Sequence, residues 1–467
     1  MIKSKLVSLL RTFDTKELRA FKDFVASPYF NKQESLINFY QYLKKWASKG
    51  FPEERLERKA VFQALYPAQG YDDKAMNHLM SQLLKLAEQF IAYRKMEQNN
   101  IALNYYTLSS YVERKLDKPY NHILNRSRTK LEASSTRDDN FYLQQFLLSD
   151  LVEQHFSTKK IRQFDESLQE AADHLDVFYL VKKLKYLCAM LDRQKLLHVD
   201  YQLKLVEEIE TALAQNDYSD IPSIAIYHQL FLTLTAEQSE VHFFQLKGLL
   251  EKYDQQFSAQ EMQDLYYFSI NYCIQKIRVG QKQFAKELME LYQTGIEKEF
   301  LLDKGKISPW TYKNMVKLGL GLNRYDWVES FVKDYSLHLP EDKRADAYHF
   351  NLADLHYHKK EYDLAMDHLN QVEFNDIHYN LAGKVMLLKI YFENAEEEAF
   401  TSLCSSFKIY LIRNKLIPKN VKTPYLNFLR ILQEVYKYGS TRKDKIKKKI
   451  EQTAMLNDRS WLLQQLT

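Results

Sequence analysis

The feature that most constrains this chain is a recurrence. Segments that read as helical pairs start near residues 101, 139, 178, 222, 262, 308, 345, 379 and 421, at intervals of 34 to 46 residues. A period in that range marks helical hairpins stacked side by side, because one hairpin cannot bury its apolar face alone. Gly280, Asn323 and Lys359-Lys360 stand where a first helix would hand over to a second. The chain has 10 Gly and 9 Pro in 467 residues, against 33 Tyr and 27 Phe. Few turn formers and many aromatics suit helices joined by short turns. The expectation is an all-α protein: a helical domain over 1–99, a helical-hairpin array over 100–420, and basic capping helices over 421–467. No linker is rich in Pro, Gly or Ser, so the array is expected to run without a flexible break.

The first hundred residues carry the clearest helix boundaries. Asp14 with Glu17 and Asn31 with Glu34 each have capping-box spacing. Ser27-Pro28 ends the helix between them, since the residue before proline avoids helical geometry. Phe21, Phe24 and Val25 form one apolar stripe, and Leu36, Phe39, Tyr40 and Leu43 the next. A longer helix follows Asp72-Asp73 and carries Met76, Leu79, Met80, Leu83, Leu86 and Phe90.

Residues 350–369, FNLADLHYHKKEYDLAMDHL, show the repeat best. Leu352 precedes small Ala353; Tyr357 leads to the turn KKEYD; Ala365 and Leu369 follow on the second helix. This pattern resembles a tetratricopeptide repeat. An echo lies 37 residues earlier in LNRYDWVESFV, where Tyr325, Asp326 and Val328 match Tyr362, Asp363 and Ala365. Another lies 34 residues later in KVMLLKIYFENAEEEAF, with Ala399 matching Ala365. The stretches FKDFVASPYFNK, GYDDKAMNHLMSQLLKLAEQFIAY and RSWLLQQL also resemble uncharacterised repeat proteins of Bacteroidetes-type bacteria, a likeness that brings no activity with it. The tetratricopeptide resemblance implies a right-handed α-solenoid that binds partners in a concave groove lined by first helices.

Chemistry is harder to find. Cys188, Cys273 and Cys404 lie far apart on apolar stretches and read as buried thiols in a reducing compartment. HExxH, GxSxG and a glycine-rich phosphate loop are all missing from the sequence. Gly319 and Gly321 read as small residues for close packing. His349 and His356 read as interhelix residues, with His358 and His368 exposed, so a metal site is not expected. The reading is a protein that is not an enzyme and holds no cofactor. The N-terminus has neither a long apolar segment nor a cleavage site, and no run nears the ~20 apolar residues of a membrane span. A cytoplasmic protein without a membrane partner is expected.

Binding is the stronger prospect, with a protein or peptide as partner. Relatives in the resembled family clamp a C-terminal carboxylate with basic and Asn residues. Those positions map here to Lys313, Lys317, Asn351, Leu381 and Val385, so the third repeat's charges are missing. A groove for another peptide would use Lys313, Lys317, Asn351, Asp354, His358 and Lys384.

Nucleic acid is the rival partner. Lys+Arg against Asp+Glu is 17 to 11 over 1–99, 35 to 46 over 100–404, and 14 to 4 over 405–467. The ends are basic and the middle acidic, a division that suits anionic partners or contacts within the fold. Arg442, Lys443, Lys445, Lys447, Lys448 and Lys449 would meet phosphates. Ile446 and Ile450, four apart, also make this run an amphipathic helix. Residues 58–90 have a helix-turn-helix outline, with Lys74, Asn77, His78 and Gln82 able to reach bases.

Overall fold

A computed structural model describes residues 1–98, 100–160, 163–197, 199–236, 239–373, 377–439 and 441–466. These residues are all-α and repeat-like, with 23 α-helices. The first are α1 (Lys5–Leu10), α2 (Thr15–Ala26), α3 (Glu34–Lys44), α4 (Arg58–Leu65) and α5 (Asp73–Gln98). Next come α6 (Asn100–Glu113), α7 (Asp117–Glu132), α8 (Asp139–Thr158), α9 (Ser167–Leu197) and α10 (Val206–Gln215). Then follow α11 (Pro222–Thr235), α12 (Ser239–Tyr253), α13 (Ala259–Arg278) and α14 (Phe284–Glu297). A small hairpin pairs β1 (Leu302–Asp303) with β2 (Lys306–Ile307) around left-handed Lys304 and Gly305. The three hairpins after it are α15 (Pro309–Gly321) with α16 (Tyr325–Tyr335), α17 (Glu341–His358) with α18 (Tyr362–Asn370), and α19 (Ile377–Glu393) with α20 (Glu397–Arg413). The last helices are α21 (Lys419–Tyr438), α22 (Lys443–Gln452) and α23 (Arg459–Gln464). Two compact units contain these elements: residues 1–186 with 207–224, and residues 187–206 with 225–467.

The first unit has an aromatic core over α1–α5. Phe21 is fully buried, with ring centroids 5.6 Å from Phe13, 4.7 Å from Tyr40 and 5.2 Å from Phe90. Asp14 and Glu17 form the reciprocal capping box. Asn31 does not cap α3. Buried instead, it donates to the Val25 carbonyl at 2.9 Å and accepts from the Gln33 N–H at 2.8 Å, joining the end of α2 to the start of α3. A second cluster lies on α6, α7 and α8, where buried Tyr120 donates to the Leu151 carbonyl at 3.1 Å.

Five helix pairs share one turn. Lys115, Gly280, Asn323, Lys360 and Ala395 are left-handed, with φ of 58°, 97°, 56°, 62° and 57°. In each case the next residue's N–H returns to the carbonyl five positions earlier, as in Arg324 to Gly319 and Glu361 to His356, both 2.9 Å. This is the Schellman cap, which satisfies carbonyls left open at a helix end. Gly280, Asn323 and Lys360 are the expected handover points. The expected start near 178 instead lies inside α9, which has neither Gly nor Pro to break it.

Within the second unit, α15 packs on α16 and α17, while α17 packs on α18 and α19. A Cβ on Gly319 would come within 2.5 Å of Val328 Cγ2, so the close approach of α15 and α16 requires glycine there. Gly321 has open space around its Cα and is not needed for packing. Ile446 and Ile450 bury one face of α22 in a core shared with α20 and α21. Arg459 donates to the carbonyls of Ile450, Glu451 and Thr453, satisfying the end of that helix.

Candidate binding groove

Counting from the shared turn puts the three hairpins in register. Asn323, Lys360 and Ala395 are 37 and 35 residues apart. Six residues before them stand Lys317, Asp354 and Lys389; ten before them stand Lys313, Phe350 and Val385. All six line one cavity of about 620 Å³, together with His358 and, from the C-terminal segment, Asp458, Arg459 and Trp461. First helices of successive hairpins thus present equivalent positions to a common space.

The walls are charged and partly neutralised. Lys313 is only 7% exposed, its ammonium 4.9 Å from the Phe350 ring centre, 5.1 Å from Tyr379 and 5.8 Å from Trp310. Cation–π attraction offsets part of the desolvation at such a site. Burial pushes the Asp354 carboxyl up, but His358, Lys317 and Lys389 outweigh it and hold the group below its ordinary range. Burial pushes His358 down, and Asp354 outweighs that in turn, raising the imidazole. Its Nδ1 lies 3.4 Å from Asp354 Oδ1 and 2.8 Å from the Asp354 carbonyl. Lys389 pairs with Asp458 at 2.9 Å and lies 5.3 Å from the Trp461 ring centre. Lys317 is exposed at the cavity wall. A second cavity of about 330 Å³ adjoins through Lys313 and is lined by Pro309, Trp310, Pro340 and Tyr379. Asp342 and Lys343 complete its lining.

Lys313, Lys317, Asp354 and His358 therefore come together, and two other groove candidates stand apart. Asn351 is 0% exposed; its Nδ2 donates to the Ala347 carbonyl at 2.6 Å and its Oδ1 has no partner. Lys384 lies 5.6 Å from the Tyr410 ring centre, and burial lowers its pKa. It sits eleven residues before its turn, equivalent to Tyr312 and His349. A fixed step of 34 misses Lys389, because it carries Lys317 to Asn351 and Val385. Counting back from Ala395 finds it, but that turn has no glycine to announce it. The same slip paired Ala399 with Ala365; the turn pairs Phe400 with Ala365 and Val328, all three buried.

The remaining candidates are dispersed. Arg442, Lys443, Lys445, Lys447 and Lys448 are exposed around α22, and Lys449 pairs with Glu434. Lys74, Asn77 and His78 are exposed on α5, with Asn77 donating to Asp73 at 2.9 Å, and Gln82 is half-buried. His368 is half-buried, not exposed: its Nδ1 is 3.1 Å from that of His349, and its ring stacks on His356. Among the described residues, no group of three or more His, Cys, Asp or Glu is placed to hold a metal. The three cysteines are buried, and burial raises each thiol, Cys404 to about 12. No helix among the described residues is long and apolar enough to cross a membrane. Comparison with protein-family models, curated proteins and solved structures found no match.

Proposed function

We propose that this protein is a non-catalytic scaffold that holds a protein or peptide segment in the groove of a right-handed, tetratricopeptide-like array. The observation that carries the reading is the register: Lys317, Asp354 and Lys389, equivalent positions on three consecutive first helices, face one cavity. Periodic display of charge suits an extended ligand that runs across successive repeats. The test is capture with the tagged full chain from its native cytoplasm at low salt, with and without nuclease, read by mass spectrometry and absorbance at 260 nm. A stoichiometric protein that survives nuclease and is lost with Lys317→Glu is the expected result. Unchanged capture by that variant rejects the groove. Lys317 is the residue to reverse because it is exposed, whereas reversal at Lys313 would also disturb three rings.

The second reading, a nucleic-acid-associated regulator, is favoured by the four exposed lysines of α22 and by Arg442 just before it. It requires nuclease-sensitive material, steep salt dependence, and loss of binding on neutralising Lys445, Lys447 and Lys448.

A further inference from the structure

The stretch from Ala399 to Gln433 contains no Asp or Glu, yet holds Lys408, Arg413, Lys415, Lys419, Lys422 and Arg430. Its centre forms a tip made of the last turns of α20, the loop 414–418 and the first turn of α21. The outward positions of α20 begin polar, with Ser402, Ser405 and Ser406, and become apolar at the tip. There Ile409 is 49% exposed, Ile412 60% and, in the loop, Leu416 81%. Lys408, Arg413, Lys415 and Lys419 are exposed among them. The loop is held in place: Asn414 N–H donates to the Tyr410 carbonyl at 3.0 Å, and Asn414 Oδ1 accepts from the Leu416 N–H at 3.0 Å. Ile417 is buried, so the next residue anchors the tip while Leu416 points out. The acids of α20, Glu397 and Glu398, lie in its first turn, ~20 Å away along the helix.

We infer that this tip is a docking surface for a lipid bilayer with anionic headgroups. Three exposed apolar side chains, interspersed along the chain with exposed cations and no acid, match an interface that is negative outside and apolar just beneath. A nucleic acid would use the cations and leave the apolar side chains in water. The three are spread over a helix end and a loop, which suits a fluid boundary better than a rigid partner. Contact of this kind lies in the plane of the interface and needs no spanning helix. It is separate from the groove and does not depend on it.

The experiment is co-sedimentation of the full chain with vesicles of phosphatidylcholine alone and of phosphatidylcholine with phosphatidylserine. Binding is expected on the phosphatidylserine vesicles and little on the others. Lys415→Gln with Lys419→Gln should weaken it roughly thirty-fold, following the contribution of each cation near an anionic surface. Ile409→Ser with Ile412→Ser and Leu416→Ser should weaken it about ten-fold or more. Circular dichroism checks the fold; if the triple variant loses helicity, Leu416→Ser alone, at the most exposed position, takes its place and should still weaken binding. No sedimentation with phosphatidylserine, or undiminished sedimentation of the apolar variant, overturns the inference. So does tighter binding to duplex DNA that ignores the apolar substitutions.

Discussion

The helices of residues 1–98 and the hairpins of residues 309–413 are both close-packed, but they bury different chemistry. Around Phe21 the first region buries rings, and Tyr40 satisfies its hydroxyl by donating to the Leu18 carbonyl at 2.6 Å. The second buries Lys313, Asn351 and Asp354 beside a cavity, with Asn351 Oδ1 left without a partner. An apolar core gains stability from every group it excludes from water, whereas buried polar groups cost free energy unless paired. The difference lies in buried charge: Lys313 and Asp354 are buried beside the cavity, whereas the buried polar residue of the first region is the neutral Asn31.

The largest expected effect lies in the first region. Phe21→Ala should cost about 3–5 kcal/mol in urea denaturation, because four neighbouring rings cannot collapse into the space it leaves. Asn351→Leu, equally buried, should change stability by no more than about 1 kcal/mol or raise it, since it removes an unpartnered acceptor and keeps the same branched shape. A loss comparable to Phe21→Ala would make Asn351 a structural residue and erase the contrast.

The smallest effect is a pH dependence. Burial lowers His349 and His368, the latter also opposed by His349 and His356, so the folded chain resists protonating them. Their stabilisation is complete above the ordinary imidazole value of about 6.5 and declines as pH falls through it. His358 acts in the opposite sense: Asp354 raises it, and its contribution is lost as pH rises through that raised value. Burial lowers His174 as well, so three imidazoles against one should make Tm fall in mild acid. His368→Gln should flatten that acid limb, while Phe21→Ala should lower the whole curve without changing its slope. An unchanged limb in His368→Gln would show that the imidazole pair does not set it.

Legibility followed how local each signal was. The Asp14–Glu17 box and the turns at Gly280, Asn323 and Lys360 depend on neighbours within a few residues, and each formed as read. Asn31 did not, because a side chain that can cap a helix can also bridge two chain segments once it is buried. The start expected near 178 required a break that α9 lacks. Four residues that line the cavity, Lys313, Lys317, Asp354 and His358, were legible as polar positions on first helices. Lys389 was not, because a period assumed constant drifts by a helical turn when the real steps are 37 and 35.

The sequence by itself determined an all-α chain of hairpins, because helix periodicity, caps and scarce glycine act over a few residues. Only the tertiary structure decided which polar residues share a space. Lys317, Asp354 and Lys389 are dozens of residues apart and meet through the packing of α15, α17 and α19. It also decided which apolar residues stay in water. Ile417 and Leu416 are adjacent and chemically alike, and only the turn at Asn414 separates the one that anchors from the one that faces out.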